Sequence, residues 1–172
     1  MAAALFEAHR HDAGGFEVHS RGLLPGGEGA PRAAIRAMAP FGIDLSGHRS
    51  RRLEVADIDE ADLVLGMTRQ HVREIVLLAP RALPKTFTLR EVVRRGEGAE
   101  ARPSGSEPVA WLRTLHGGRD RSDLIGRATE DDTADPFGRP GAVYAATASE
   151  LDDLTMRLAA LLGPVGAAVP RT

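Results

Sequence analysis

Residues 131–140 read DDTADPFGRP, a run of carboxylates that ends in Asp135, followed by a proline, an aromatic residue and a glycine. An Asp-Pro pair can do two things. It initiates turns, because an aspartate side chain bonds the backbone two residues on and proline presets its own φ. It also presents a carboxyl group on a loop, where it can protonate a leaving oxygen as a general acid. The residues alone leave both readings open for Asp135. A proton donor needs a nucleophile to serve, and this chain contains no cysteine. That removes thiol nucleophiles, thiolate metal sites and disulfides together. His9 and His11 do not stand at the i, i+4 spacing that points two imidazoles at one ion, so no metal site is expected. The cluster HRSRR at 48–52 could hold an anion. However, Lys85 is the one lysine among 22 basic residues, so arginine is abundant everywhere and the cluster reads as solvated surface. The carboxylates Glu130, Asp131 and Asp132 read in the same way, as a solvated loop without a role. Trp111 reads as a packing residue.

The elements that must position these groups alternate between helix and strand. MAAALFEAH at the N-terminus is helical without a cap, and FEVHS (16–20) alternates like a short strand. A glycine- and proline-rich loop, RGLLPGGEGAP, precedes a helix in RAAIRAMAPFG, which Pro40 and Gly42 close. IDLSGHRSRRL is a polar connection. Leu63–Leu65 form the core of a second, buried strand. Thr68 is the expected N-cap of an amphipathic helix whose apolar residues are Val72, Ile75, Val76 and Leu78. KTFTL is a third strand, REVVRR a helix of about two turns, and residues 96–107 a loop. PVAWLRTLHGG forms a short helix. Residues 141–162 form the longest one, with Val143, Leu151, Leu154, Leu158 and Leu161 on its apolar face.

This alternation predicts a parallel sheet in an α/β fold with its active site outside the carboxyl ends of the strands. The 172 residues, 42% hydrophobic and 27% charged, suit one domain over 1–163 and a tail over 164–172. A formal charge of -2 supplies no general attraction to nucleic acid or to an acidic membrane. No apolar run reaches spanning length and no signal peptide is visible, so a cytoplasmic protein is expected.

Four stretches, FEVHSRGL, GIDLSGHRSRRL, ADLVLGMTRQHVREI and DDTADPFGRP followed by VYAATASEL, resemble the low-molecular-weight protein-tyrosine phosphatases in order and spacing. The resemblance covers most of residues 1–162 and is weakest over 96–125. It implies a three-layer α/β sandwich around a short parallel sheet in flavodoxin-like order. It further implies phosphomonoester hydrolysis through a phosphocysteine, with no cofactor, on a phosphorylated protein or a small phosphoester. By resemblance Asp135 is the general acid, Pro136 stiffens its loop and Phe137 lines the slot for the substrate. Ser20 and His48 match residues that brace the phosphate-binding loop through hydrogen bonds. That loop, Cys-x5-Arg-(Ser/Thr), cradles phosphate with its amides and attacks it with its thiolate, and the quoted sequence does not contain it. The resemblance therefore implies that the first central strand is missing too, that Met1 stands at an internal position of the usual family sequence, and that the start was assigned too late. Three functions follow: a phosphatase domain incompetent as quoted; a non-catalytic module of the same scaffold that binds a phosphorylated partner or a homologous subunit; and, least favoured, an arsenate reductase relative, which would use more cysteines.

Overall fold

The computed structural model describes residues 1–10, 16–100, 102–103, 106–119 and 129–163. Its elements are α1 (Ala2–His9), α2 (Arg32–Met38), α3 (Val55–Glu60), β1 (Val64–Gly66), α4 (Arg69–Leu78), β2 (Thr86–Thr88), α5 (Leu89–Gly98), α6 (Pro108–Thr114) and α7 (Gly141–Leu162). Two 3-10 turns, Ala39–Phe41 and Pro80–Lys85, join them. The alternation is that of an α/β protein. The chain divides into two compact units, Met1–Leu53 with Ala134–Ala159, and Glu54–Thr133 with Ala160–Thr172. The expected tail, 164–172, and His11 lie outside the described residues. No helix among the described residues is long and apolar enough to cross a membrane.

In the first unit, the uncapped helix expected at the N-terminus is α1, which buries Leu5 and Phe6. His9 Nε2 lies 2.7 Å from Asp152 Oδ1 on α7, tying the two helices together. The ring of Phe6 meets that of Phe16 edge to face at a centroid separation of 6.4 Å. On α7 the residues Tyr144, Ala148, Leu151, Leu154, Leu158 and Ala159 are buried at the spacing of one helix face, while Val143 and Leu161 are half-buried. FEVHS is not a strand: Phe16–Ser20 pairs with no described residue. Alternation marks a surface able to join a sheet, but a strand exists only through the ladder it forms with a neighbour.

The glycine-rich loop is more ordered than its composition suggests, because the polar connection clasps it. Gly22 N donates to Arg51 O and Leu53 N to Gly22 O, both at 2.8 Å. Gly27 N to Ser50 O and Ser50 N to Glu28 O, also 2.8 Å each, close the other end. Gly26 passes so near this segment that a Cβ there would stand 2.8 Å from Ser50 O, which explains why the position carries no side chain.

The second unit is built on one parallel pair, β1 with β2, in the register Val64 to Thr86, Leu65 to Phe87 and Gly66 to Thr88. A parallel pair needs a long crossover, supplied here by α4 and the Pro80–Lys85 turn. β1 begins one residue later than the expected Leu63, and Leu63, Val64 and Leu65 are half-buried rather than buried. α3 was not foreseen in VADIDE; at its start Glu54 N donates to Asp57 Oδ2 at 3.0 Å, the reciprocal bond that opens short helices. Lys85 Nζ holds its far end, donating to Asp59 O at 3.0 Å and to Ala61 O. On α4, Thr68 Oγ1 accepts from His71 N as expected, and Val72 and Ile75 are buried. Leu78 is 51% exposed, because the helix ends there and Ala79 takes the next inward position.

α5 runs to Gly98, well past the two turns expected. It continues through Gly96 because the absent side chain lets α5 approach its neighbours: a Cβ there would lie 2.7 Å from Leu161 Cδ1 and 3.1 Å from the Trp111 ring. Trp111, Leu112 and Leu115 are buried beside it, in keeping with the packing role expected for the tryptophan. Gly96→Ala should therefore overpack this contact and lower stability by about 1–3 kcal/mol. Urea unfolding followed by Trp111 fluorescence measures the change, and an unchanged midpoint would contradict the close approach.

Candidate functional site

Residues 129–140 change character halfway. The first half is locked. Asp132 N donates to Thr129 O at 2.9 Å, and Thr133 N to Met67 O at 2.8 Å. Asp131 is 3% exposed and accepts from Arg69 Nη2 at 2.7 Å, Arg94 Nε at 3.0 Å and Arg94 Nη2 at 2.8 Å. Asp132 Oδ1 accepts from Arg69 N at 2.7 Å, which satisfies an amide that the first turn of α4 cannot pair internally. The expectation of a solvated acidic loop is therefore corrected at Asp131 and Asp132. A carboxylate can be buried where guanidinium forks supply directed, charge-assisted bonds, and two such forks converge on Asp131. Burial pushes the Asp131 carboxyl up, but the bonds and charge of Arg94, joined by those of Arg69, outweigh it and hold the group below its ordinary value of 3.8.

The second half is a turn. Asp135 Oδ1 accepts from Phe137 N at 2.9 Å, the two-residue bond of an aspartate turn. Arg139 N donates to Pro136 O at 2.9 Å, and Gly138 takes the left-handed conformation at φ 71. Val143 N to Pro140 O, 2.9 Å, then leads into α7. Asp135 is exposed, and its second oxygen has no partner among the described residues. One oxygen sets the turn and the other is left to the solvent, an arrangement that suits proton transfer to a bound molecule. Phe137 is 75% exposed, so its ring face is open for contact.

Ser20 and His48, the other two residues singled out from the sequence, lie in the same unit as Asp135 and Phe137, and both are exposed. The clasp between 22–29 and 49–53 brings their segments side by side. Neither the Ser20 hydroxyl nor the His48 ring is hydrogen-bonded to another described residue. The loop they are expected to brace requires a Cys-x5-Arg stretch, which the sequence does not contain. Among the described residues no group of three metal-ligating side chains converges. Reading the sequence missed the Asp131 clasp, because its partners lie 62 and 37 positions away and neither shares a motif with it.

Asp131→Asn should destabilise the protein by about 3–5 kcal/mol, the usual effect of removing one partner from a buried ion pair. The pH dependence carries the same sign. With its folded pKa depressed, Asp131 contributes fully above the unfolded value of 3.8 and loses that contribution as pH falls through the lower folded value. Chemical denaturation at several pH values should therefore show a steeper loss of stability below about pH 4 in the wild type than in Asp131→Asn. Equal stability of the two proteins at neutral pH would contradict the clasp.

Comparison with known proteins identifies the scaffold. A family model described as low molecular weight phosphotyrosine protein phosphatase matches residues 1–102. The protein-arginine-phosphatase of Geobacillus stearothermophilus is 36% identical over 160 residues, covering 92% of this chain and 84% of that protein. The structure of a low molecular weight protein tyrosine phosphatase from T. tengcongensis superimposes with a TM-score of 0.65 at 30% identity, covering 91% of this chain and 86% of the other. A mutant of the YwlE arginine phosphatase, with serine in place of cysteine and its active-site serine phosphorylated, gives a TM-score of 0.68 at 29% identity over 94% and 85% of the two chains. The chain belongs to the low molecular weight phosphotyrosine protein phosphatase family.

Proposed function

We propose that this polypeptide is a phosphatase domain of that family which carries the acid side of the hydrolytic reaction and, with no cysteine in its sequence, does not itself hydrolyse phosphomonoesters. The observation that carries the proposal is the Asp135 turn, an exposed carboxylate fixed through one oxygen and open at the other, at the position that the resemblance assigns to the general acid. In the full reaction Asp135 would protonate the leaving oxygen or nitrogen as phosphate moves to a cysteine, then activate water for hydrolysis of the phosphoenzyme. Pro136 would keep the loop stiff and Phe137 would face the phosphorylated side chain. Ser20 and His48 would brace the phosphate-binding loop.

The sequence has no cysteine to receive the phosphate. In the YwlE mutant the phosphorylated residue is a serine that replaces cysteine, which supports that position as the attacking one in the family. Loss of a nucleophile from a comparable covalent mechanism lowers turnover by about six orders of magnitude. Asp135 alone does not make up that deficit, since general acid catalysis contributes about two to four. The relatives span arginine and tyrosine phosphatases, so the substrate class supported here is a phosphorylated protein side chain.

A second reading is favoured by the same lack of cysteine: a non-catalytic module that binds its partner and releases it unchanged. The two make different predictions. The purified 172-residue chain should show no turnover of p-nitrophenyl phosphate or of a phosphoarginine peptide above that of a buffer control, and Asp135→Ala should leave this baseline unchanged. A measurable rate that Asp135→Ala lowers would overturn the proposal of incompetence. Retention of an intact phosphopeptide in equilibrium dialysis would select the binding module.

A further inference from the structure

The locked half of the 129–140 segment is bound to one short turn. Thr133 N donates to Met67 O at 2.8 Å, Arg69 N to Asp132 Oδ1 at 2.7 Å, and Arg69 Nη2 to Asp131 Oδ2 at 2.7 Å. Residues 131–133 thus rest on 67–69, where β1 ends and α4 begins, and the shape of that stretch sets where they rest. His71 is bonded to the stretch twice. Its amide donates to Thr68 Oγ1 at 3.3 Å, and its ring Nδ1 accepts from Met67 N at 3.3 Å. This is a variant of the reciprocal capping box in which the return bond reaches past the N-cap to the amide before it. Gly66 leaves room for the reach. A Cβ there would stand 3.0 Å from His71 Cβ and 3.2 Å from Thr68 O, so a side chain would force His71 away from the turn.

A histidine in this place can count for its volume or for one nitrogen. As a filler of half-buried space, the ring could be replaced by that of phenylalanine. As an acceptor it could not. A backbone amide only donates, so the Nδ1 that meets Met67 N carries no proton, and the proton of the neutral ring sits on Nε2. We propose that His71 is a positioning residue for the loop that leads to Asp135, acting through this unprotonated Nδ1. The ring fixes Met67 on its amide side, and the carbonyl of the same residue holds the amide of Thr133, which is buried. From Thr133 the chain runs through Ala134 directly to Asp135. Only the meaning of the positioned loop rests on the reading of Asp135 as general acid; the bonds themselves do not. Asparagine can present the same acceptor, because its Oδ1 stands as far from the backbone as the histidine Nδ1.

The test is amide hydrogen exchange of the full chain, followed residue by residue by NMR. His71→Phe keeps a ring and removes the acceptor, and should lower protection of the Met67 amide about tenfold, as expected of a donor left without its partner. Thr133, held through the same residue, should lose about threefold. His71→Asn should restore both to within about threefold of the wild type. The amide of Val93 on α5 should be unaltered in either variant, which separates a local loss from global unfolding. In the unmodified protein, a long-range proton–nitrogen spectrum of the ring should show the Nε2–H tautomer, a reading that requires no variant to fold. An Nδ1–H tautomer, undiminished protection in His71→Phe, or equal losses in His71→Asn and His71→Phe would each overturn the proposal. None of these outcomes involves turnover, so the phosphatase assay with Asp135→Ala fails or succeeds separately.

Discussion

One buried carboxylate shared by two guanidiniums organises the second unit of the chain. Asp131 ties α4 through Arg69 and α5 through Arg94, while its neighbour Asp132 takes an amide at the start of α4. Three segments distant in sequence meet at that point, and the strand pair β1–β2 lies in the same unit. The device recurs at Glu91, fully buried, which holds Arg95 at 3.0 Å and Arg119 at 2.9 Å. Arg119 also caps Leu83 O and Thr86 O and stands 4.5 Å above the Phe87 ring. A lysine could not substitute for Arg119, because only the planar fork donates to a carboxylate and to carbonyls at once while stacking on a ring. The abundance of arginine therefore has structural use in this unit, whatever its origin in the coding sequence.

Local chemistry was legible wherever the physical cause was local. The Thr68 cap, the 22-residue extent of α7 and the break after α2 follow from side chains within a few positions of the feature they cause. The aspartate turn at 135–137 belongs to the same class. Features that depend on a distant partner were not legible. FEVHS has the alternation of a strand and no ladder. The EDDTAD run has the composition of a solvated loop, yet two of its aspartates are bound in place by residues more than thirty positions away. The extension of α5 through Gly96 depends on Leu161 and Trp111 filling the space its side chain would occupy.

The candidate site itself was half legible. Asp135 and Phe137 were singled out from their motif, and the geometry shows the turn role of the aspartate: one oxygen accepts from Phe137 N and the other is unpaired among the described residues. Ser20 and His48 came from the family pattern, and the clasp of backbone bonds that sets their segments side by side could not be inferred from glycines and arginines alone. Glycine-rich loops are usually read as loose. This one is held at both ends by a polar strand-like segment, and Gly26 is small because the two backbones nearly touch.

Lys85 has a consequence for anyone handling the protein. Its ammonium, the sole side-chain amine in the sequence, is already committed to the carbonyls at the end of α3. Reagents that acylate amines, whether dyes, cross-linkers or biotin esters, thus find no freely solvated lysine. Where they do react, they undo a helix end rather than decorate a surface.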